Sequence, residues 1–211
     1  MTKIKLCGLS RPCDIETANL LRPEYIGFVF APKSRRYIDK EKAVFLKQQL
    51  SPAIRAVGVF VNEDPQIVAA YLNKGIIDIA QLHGGEQAAY IQRLRALTDK
   101  PLIQAFRIES EKDVEAADAS CADDILLDSG PGGTGTAFDW KLPERVNRPY
   151  FLAGGLTVQN VTDAVRTLKP YAVDVSSGIE TDGFKDRSKM TAFVTAVRAA
   201  DETPREGHTA K

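Results

Sequence analysis

The sequence predicts a (β/α)8 barrel, and three observations predict it. Short β-branched or apolar runs alternate strictly with stretches of helical period, eight such runs occur, and nearly every glycine-rich or reactive position falls just after one of them. Eight βα units in a row imply a parallel sheet with right-handed crossovers, and eight strands can close on themselves. Periodicity alone leaves an open doubly wound sheet as the alternative.

The strands are expected at Lys3–Cys7, Tyr25–Phe30, Ile54–Val61, Asp78–His83, Leu102–Ile108, Asp124–Asp128, Tyr150–Ala153 and Ala172–Ser176, each near the usual strand length. Between them, apolar residues three and four apart mark helix faces: Ile67, Val68, Tyr71 and Leu72; Tyr90, Ile91, Leu94 and Leu97; Met190, Phe193, Val194 and Val197. Asp64-Pro65 reads as a cap followed by a first-turn proline, and Asp39, Ser110 and Thr157 are candidate caps. The segment Phe138–Arg145 is the weakest helix, short and interrupted by Pro143. At 211 residues the barrel is compact, with residues 1–200 forming a single catalytic domain and residues 201–211 a polar, frayed tail.

Composition excludes several classes. Apolar content of 44% and charged content of 27% belong to a globular chain. With 28 basic and 28 acidic residues there is no cationic excess for a nucleic-acid partner, although a local donor cluster can still hold a small anion. No apolar run reaches the ~18 residues that cross a bilayer, so no membrane partner is expected. The beginning, MTKIKLC, enters a strand pattern without a signal-peptide apolar region. Cys7, Cys13 and Cys121 are too few and too scattered for a disulfide framework, and with His83 and His208 they show no zinc spacing. A reducing cytoplasm fits, and Cys13 and Cys121 are expected to be buried as small hydrophobes. A monomer is the default because no apolar surface stripe stands out, with a homodimer left open.

In such barrels the functional loops follow the C-terminal strand ends. Gly130-Pro131-Gly132-Gly133-Thr134-Gly135, Gly154-Gly155 and Ser177-Gly178 follow the sixth, seventh and eighth strands. One glycine pair is an ordinary tight turn. Three in succession, including the loops after strands seven and eight, predict a phosphate site built from backbone N–H groups. Strand alternation places Lys5 and Cys7 on the inner face, with Ile4 and Leu6 toward the helices. A cationic Lys5 beneath Cys7 would favour the thiolate, against the plain alternative of a buried thiol. Asp174 is expected to pair with Lys5. Asp128 ends the sixth strand on the same rim, where a turn cap is the alternative. Arg36 suits bidentate carboxylate binding, or else belongs to a solvated loop; His83 suits acid–base work or substrate positioning.

These positions fall into a familiar order. Lys5-Leu6-Cys7-Gly8-Leu9-Ser10-Arg11-Pro12, Gly27-Phe28-Val29-Phe30 with Pro32-Lys33-Ser34-Arg35-Arg36-Tyr37, Val57-Gly58-Val59-Phe60-Val61-Asn62 and Gln81-Leu82-His83-Gly84 lead. Gly132-Gly133-Thr134-Gly135 before Phe138-Asp139-Trp140, Leu152-Ala153-Gly154-Gly155-Leu156 and Asp174-Val175-Ser176-Ser177-Gly178-Ile179-Glu180 complete the series. From Lys3 to about Ala199 the chain resembles the phosphoribosylanthranilate isomerases of tryptophan biosynthesis. The resemblance implies a barrel of the phosphate-binding type. It also implies an Amadori rearrangement of N-(5-phosphoribosyl)anthranilate to 1-(2-carboxyphenylamino)-1-deoxyribulose 5-phosphate. Cys7 is then the general base, Asp128 the general acid, and Arg36 the partner of the anthranilate carboxylate. His83 joins the substrate site, and Gly133, Gly135, Gly154, Gly155, Ser177 and Gly178 hold the phosphate. No metal or organic cofactor is implied, because the substrate's own iminium is the electron sink. Ser10 stands where many members have threonine, and Thr136 where lysine is common. The assigned roles demand that Cys7 be more acidic than usual and Asp128 less so. A histidine-pathway isomerase resembles a two-aspartate site, which Cys7 speaks against, and indole-glycerol-phosphate synthase a lysine–glutamate site with no match here. A catalytically silent sugar-phosphate binder is the rival from another class.

Overall fold

The structure, a computed structural model, describes residues 1–128 and 141–202. The eight strands form where apolar alternation placed them: β1 (Lys3–Cys7), β2 (Tyr25–Val29), β3 (Arg55–Phe60), β4 (Ile79–Leu82), β5 (Leu102–Arg107), β6 (Asp124–Asp128), β7 (Tyr150–Ala153) and β8 (Ala172–Val175). They pair in parallel and in chain order, and β8 returns to β1 to close the barrel, which excludes the open sheet. The strand faces follow the pleat. Ile4, Leu6, Ile26, Phe28, Leu82 and Val173 face the helices, while Tyr25, Val57, Ile79, Ile103, Leu126 and Phe151 fill the N-terminal half of the barrel. Nearer the C-terminal rim the filling becomes Cys7, Val29 and Val59.

The helices are α1 (Pro12–Leu21), α2 (Lys40–Gln49), α3 (Pro65–Asn73), α4 (Ala88–Arg95), α5 (Glu111–Asp118), α6 (Val161–Leu168) and α7 (Arg187–Glu202). Asp39 and Asp64 cap α2 and α3 by accepting from the backbone N–H groups of Lys42 and Gln66, and Ser110 forms a capping box with Asp113 at α5. The cap of α6 is Asn160, not Thr157. A turn intervenes, and Thr157 instead lends its carbonyl to the N–H groups of Asn160 and Val161. Between β6 and β7 the described residues hold only a 3-10 turn, Pro143–Arg145, in place of the expected helix, whose first part lies outside the described residues. The stripe on α7 is buried throughout. Leu97 falls beyond α4 and is exposed, because the helix ends at Arg95, and Ile67 is exposed on α3. Cys13 and Cys121 are exposed rather than buried: one lies on the outer face of α1 and the other in the loop before β6. The last helix continues through Asp201 and Glu202, two positions into the expected tail, and Asp201 accepts from the N–H of Thr2 at 2.7 Å.

After β8 the chain makes a small hairpin, β9 (Glu180–Thr181) and β10 (Phe184–Lys185). Its two-residue turn is Asp182-Gly183, both with positive φ, of 52° and 82°. This is the Asp-Gly pattern that type I′ turns require, and it sets Glu180 opposite Lys185. Among the described residues no helix is long and apolar enough to cross a membrane.

Candidate active site

The site grows from the barrel's centre. Lys5 and Asp174 are register partners on β1 and β8, and both point inward. The Lys5 ammonium, fully buried, donates to both carboxylate oxygens of Asp174 at 3.0 Å each. Burial alone would lower the Lys5 pKa, but Asp174 and then Cys7 more than offset it and hold the lysine charged. This is the pairing that strand alternation predicted.

Cys7 lies one layer above, at the C-terminal end of β1. Its register partner on β2 is Gly27, and a Cβ there would sit 2.6 Å from the thiol sulfur. The glycine therefore makes the space that the thiol occupies. The expected acidification of Cys7 does not appear. Burial pushes its pKa upward and outweighs the opposing pull of Lys5. The reason is geometric: Lys5 is bound at both oxygens of Asp174, whose own charge raises the thiol pKa again.

A cavity of about 310 Å³ opens above this layer at the C-terminal ends of the strands. Cys7, Arg36, His83, Asp128, Gly154, Gly155 and Ser177 all line it, so the structure brings together residues spread over most of the chain. Gly178 is outside the lining. Its α-carbon lies against the carbonyl of Leu156, where any Cβ would come within 2.0 Å of the oxygen, so it allows the loops after β7 and β8 to approach. Gly133 and Gly135 lie outside the described residues. Gly154 and Gly155 have φ of 92° and 64°. Ser177 and Gly178 open a 3-10 turn whose first N–H groups have no partner within the turn.

Across the cavity, His83 Nε2 stands 3.6 Å from Asp128 Oδ2, just beyond hydrogen-bond length. On the other side of the ring, Nδ1 lies 2.8 Å from the Gln81 side-chain nitrogen. Gln81 donates its amide N–H to Nδ1, which leaves the ring proton on Nε2, facing Asp128. Gln81 Oε1 and Asp128 Oδ1 are buried and have no hydrogen-bond partner among the described residues. Gln81 carried no signal beyond its place within a motif.

Arg36 reaches the cavity from the loop after β2 and is already engaged. Its Nε donates to Glu180 Oε1 at 2.6 Å and its Nη2 to Glu180 Oε2 at 2.9 Å. Glu180 also accepts from Arg35 at 2.7 Å and from Lys185 at 2.6 Å. Burial would raise the Glu180 pKa, but the bonds from Arg36 and Lys185 prevail and hold it below the ordinary carboxylate range. Lys185 donates further to the Ser176 carbonyl at 2.9 Å, and Ser176 Oγ donates to the Cys7 carbonyl at 3.1 Å. Sequence reasoning named Glu180 only within a motif and did not name Lys185. The signal that could have found both is Asp182-Gly183 between two short β-prone pairs, which predicts a hairpin with the acid facing the lysine.

Fold and cavity define a class: a (β/α)8 barrel whose pocket, at the C-terminal strand ends, carries thiol, carboxyl, imidazole and guanidinium groups. A model of the N-(5'-phosphoribosyl)anthranilate isomerase family matches residues 4–196, and the chain belongs to that family. An N-(5'-phosphoribosyl)anthranilate isomerase of Acetivibrio thermocellus is 43% identical over 214 residues, covering 95% of this chain and 98% of that one. The crystal structure of phosphoribosyl anthranilate isomerase from Thermotoga maritima superposes with a TM-score of 0.86 at 35% identity, covering 94% of this chain and 100% of that one. A phosphoribosyl anthranilate isomerase in complex with reduced 1-(o-carboxyphenylamino)-1-deoxyribulose 5-phosphate gives 0.84 at 33% identity, with 94% and 100% covered.

Proposed function

We propose that this chain isomerises N-(5-phosphoribosyl)anthranilate to 1-(2-carboxyphenylamino)-1-deoxyribulose 5-phosphate in cytoplasmic tryptophan biosynthesis, with Cys7 as general base and Asp128 as general acid. The observation that carries the reading is one cavity lined by Cys7, Asp128, Arg36 and the glycine loop after β7, in a chain of this family. Support also comes from the relative that holds a reduced product analogue with the same phosphosugar and carboxyphenyl parts.

Asp128 protonates the ring oxygen of the ribose, and the C1–O bond breaks to leave an iminium at the anthranilate nitrogen. Cys7, as the thiolate that the positive iminium beside it favours, then takes the proton from C2, and the C–H electron pair moves into the C1–C2 bond while the C=N pair returns to nitrogen. The enolamine tautomerises to the ketone. The phosphate lies on the N–H groups of Gly154, Gly155 and Ser177 with Gly178 behind them, and Gly133 and Gly135, outside the described residues, are assigned to the same phosphate by the family resemblance. Arg36 takes the carboxylate, and His83 bonds to the substrate beside Asp128.

The test is loss of anthranilate-type substrate fluorescence on mixing with the purified chain. Unaltered protein consumes the substrate. Cys7→Ala and Asp128→Asn each slow turnover ~100-fold or more, the scale of general acid–base catalysis. Near-normal turnover in either variant removes that residue from the mechanism. Binding of the substrate without consumption by the unaltered protein supports a silent binder instead.

A further inference from the structure

We propose that Glu180 is a positioning residue for carboxylate recognition: it grips one edge of the Arg36 guanidinium and keeps the other edge for the substrate. The inference deepens the reading above and rests on it. A guanidinium has two edges able to form paired hydrogen bonds, the Nε–Nη2 side and the Nη1–Nη2 end. Glu180 takes the side edge with both of its oxygens. Among the described residues Nη1 has no hydrogen-bond partner, so the end edge stays available on a residue that lines the cavity. Glu180 itself does not line the cavity, so it acts through Arg36.

Two further features suit this role. First, Glu180 is closely held. Its side chain is only 4% exposed, it sits in the hairpin opposite Lys185, and its carbonyl accepts from Lys189 at 2.6 Å. A long flexible arginine held by such a partner has already lost its rotamer freedom before ligand arrives, so binding does not bear that entropic cost. Second, one carboxylate serves three cations, Arg35, Arg36 and Lys185. The cluster keeps a positive excess, so Glu180 orients Arg36 without cancelling its attraction for an anion.

The experiment measures dissociation constants by calorimetry for two product analogues. One is reduced 1-(o-carboxyphenylamino)-1-deoxyribulose 5-phosphate, and the other is the same molecule without the carboxyl group. Glu180→Ala is expected to weaken the carboxylate-bearing analogue by ~10-fold or more, the worth of one well-made hydrogen bond to a charged group. Affinity for the carboxyl-free analogue should change by less than ~3-fold. The isosteric Glu180→Gln, which keeps the side-chain shape and one acceptor oxygen, should shift the same way by a smaller factor. Unchanged affinity for the carboxylate analogue overturns the inference. Equal losses on both analogues overturn it too, since a merely structural role would give them. If the unaltered chain binds neither analogue, the functional reading fails and the inference with it.

Discussion

The two flanks of the cavity are built on opposite terms. On the β8–β1–β2 flank each buried charge is matched: Lys5 with Asp174, and Arg36 and Lys185 with Glu180. On the β4–β6 flank two buried oxygens, on Gln81 and Asp128, have no hydrogen-bond partner among the described residues, and His83 stops short of Asp128. Matched charges fix geometry before any ligand arrives. Oxygens without a partner keep hydrogen-bonding capacity at the cavity they line. The comparison teaches that, among the described residues, ion pairs hold the flank with Cys7 and Arg36 in place, while the flank with His83 and Asp128 has no such pairing.

The largest break comes from the matched flank. Lys5→Met leaves Asp174 as a buried charge without its partner, and denaturant unfolding should show a loss of about 3–5 kcal/mol. A loss below ~1 kcal/mol would mean that the pair is not buried as described. Next comes Gly27→Ala, which places a methyl 2.6 Å from the Cys7 sulfur. Overpacking of this kind costs about 1–3 kcal/mol, and displacement of the thiol should lower kcat as well. An unaffected kcat would show that Cys7 moves aside freely.

The open flank should respond in the reverse manner. Gln81→Met removes the donor to His83 but also removes the unpaired oxygen. Stability should therefore hold or rise slightly while kcat falls ~2–10-fold, the worth of one hydrogen bond. A drop in stability with unchanged kcat would identify Gln81 as a packing residue only.

The smallest effect concerns pH. Because burial raises the Cys7 pKa above its ordinary 9.0, alkylation of Cys7 by iodoacetamide, followed by peptide mass spectrometry, should still be rising at pH 9. The site must be read separately, since Cys13 and Cys121 are exposed. The sign for stability follows. A thiol whose pKa is raised in the fold contributes stability that is present below pH 9.0 and lost as pH climbs through the folded value. A plateau in alkylation below pH 8 would show instead that Lys5 dominates the thiol.

Much of this was legible in the residues. Period-two alternation settles which side of a strand faces in, and so places Lys5, Cys7, Asp128 and Asp174 on the barrel's inner face. The rim position of the glycine loops follows from element order alone. Less legible were features that depend on partners distant in sequence. Thr157 misled because a cap-type residue one turn early looks the same in sequence as the true cap, Asn160. The exposure of Cys13 and Cys121 was missed because cysteine burial depends on what a helix or loop packs against, not on the residue.

The sequence by itself determined the alternation of strands and helices, the inner and outer faces and the family motifs, because these rest on local periodicity and chain order. Only the tertiary structure decided the electrostatics of the site. Register between β1 and β8 binds Lys5 to Asp174 and so weakens its hold on Cys7, and the closure of the hairpin delivers Glu180 to Arg36. Charge and desolvation act through space, and the groups concerned lie up to 169 positions apart along the chain.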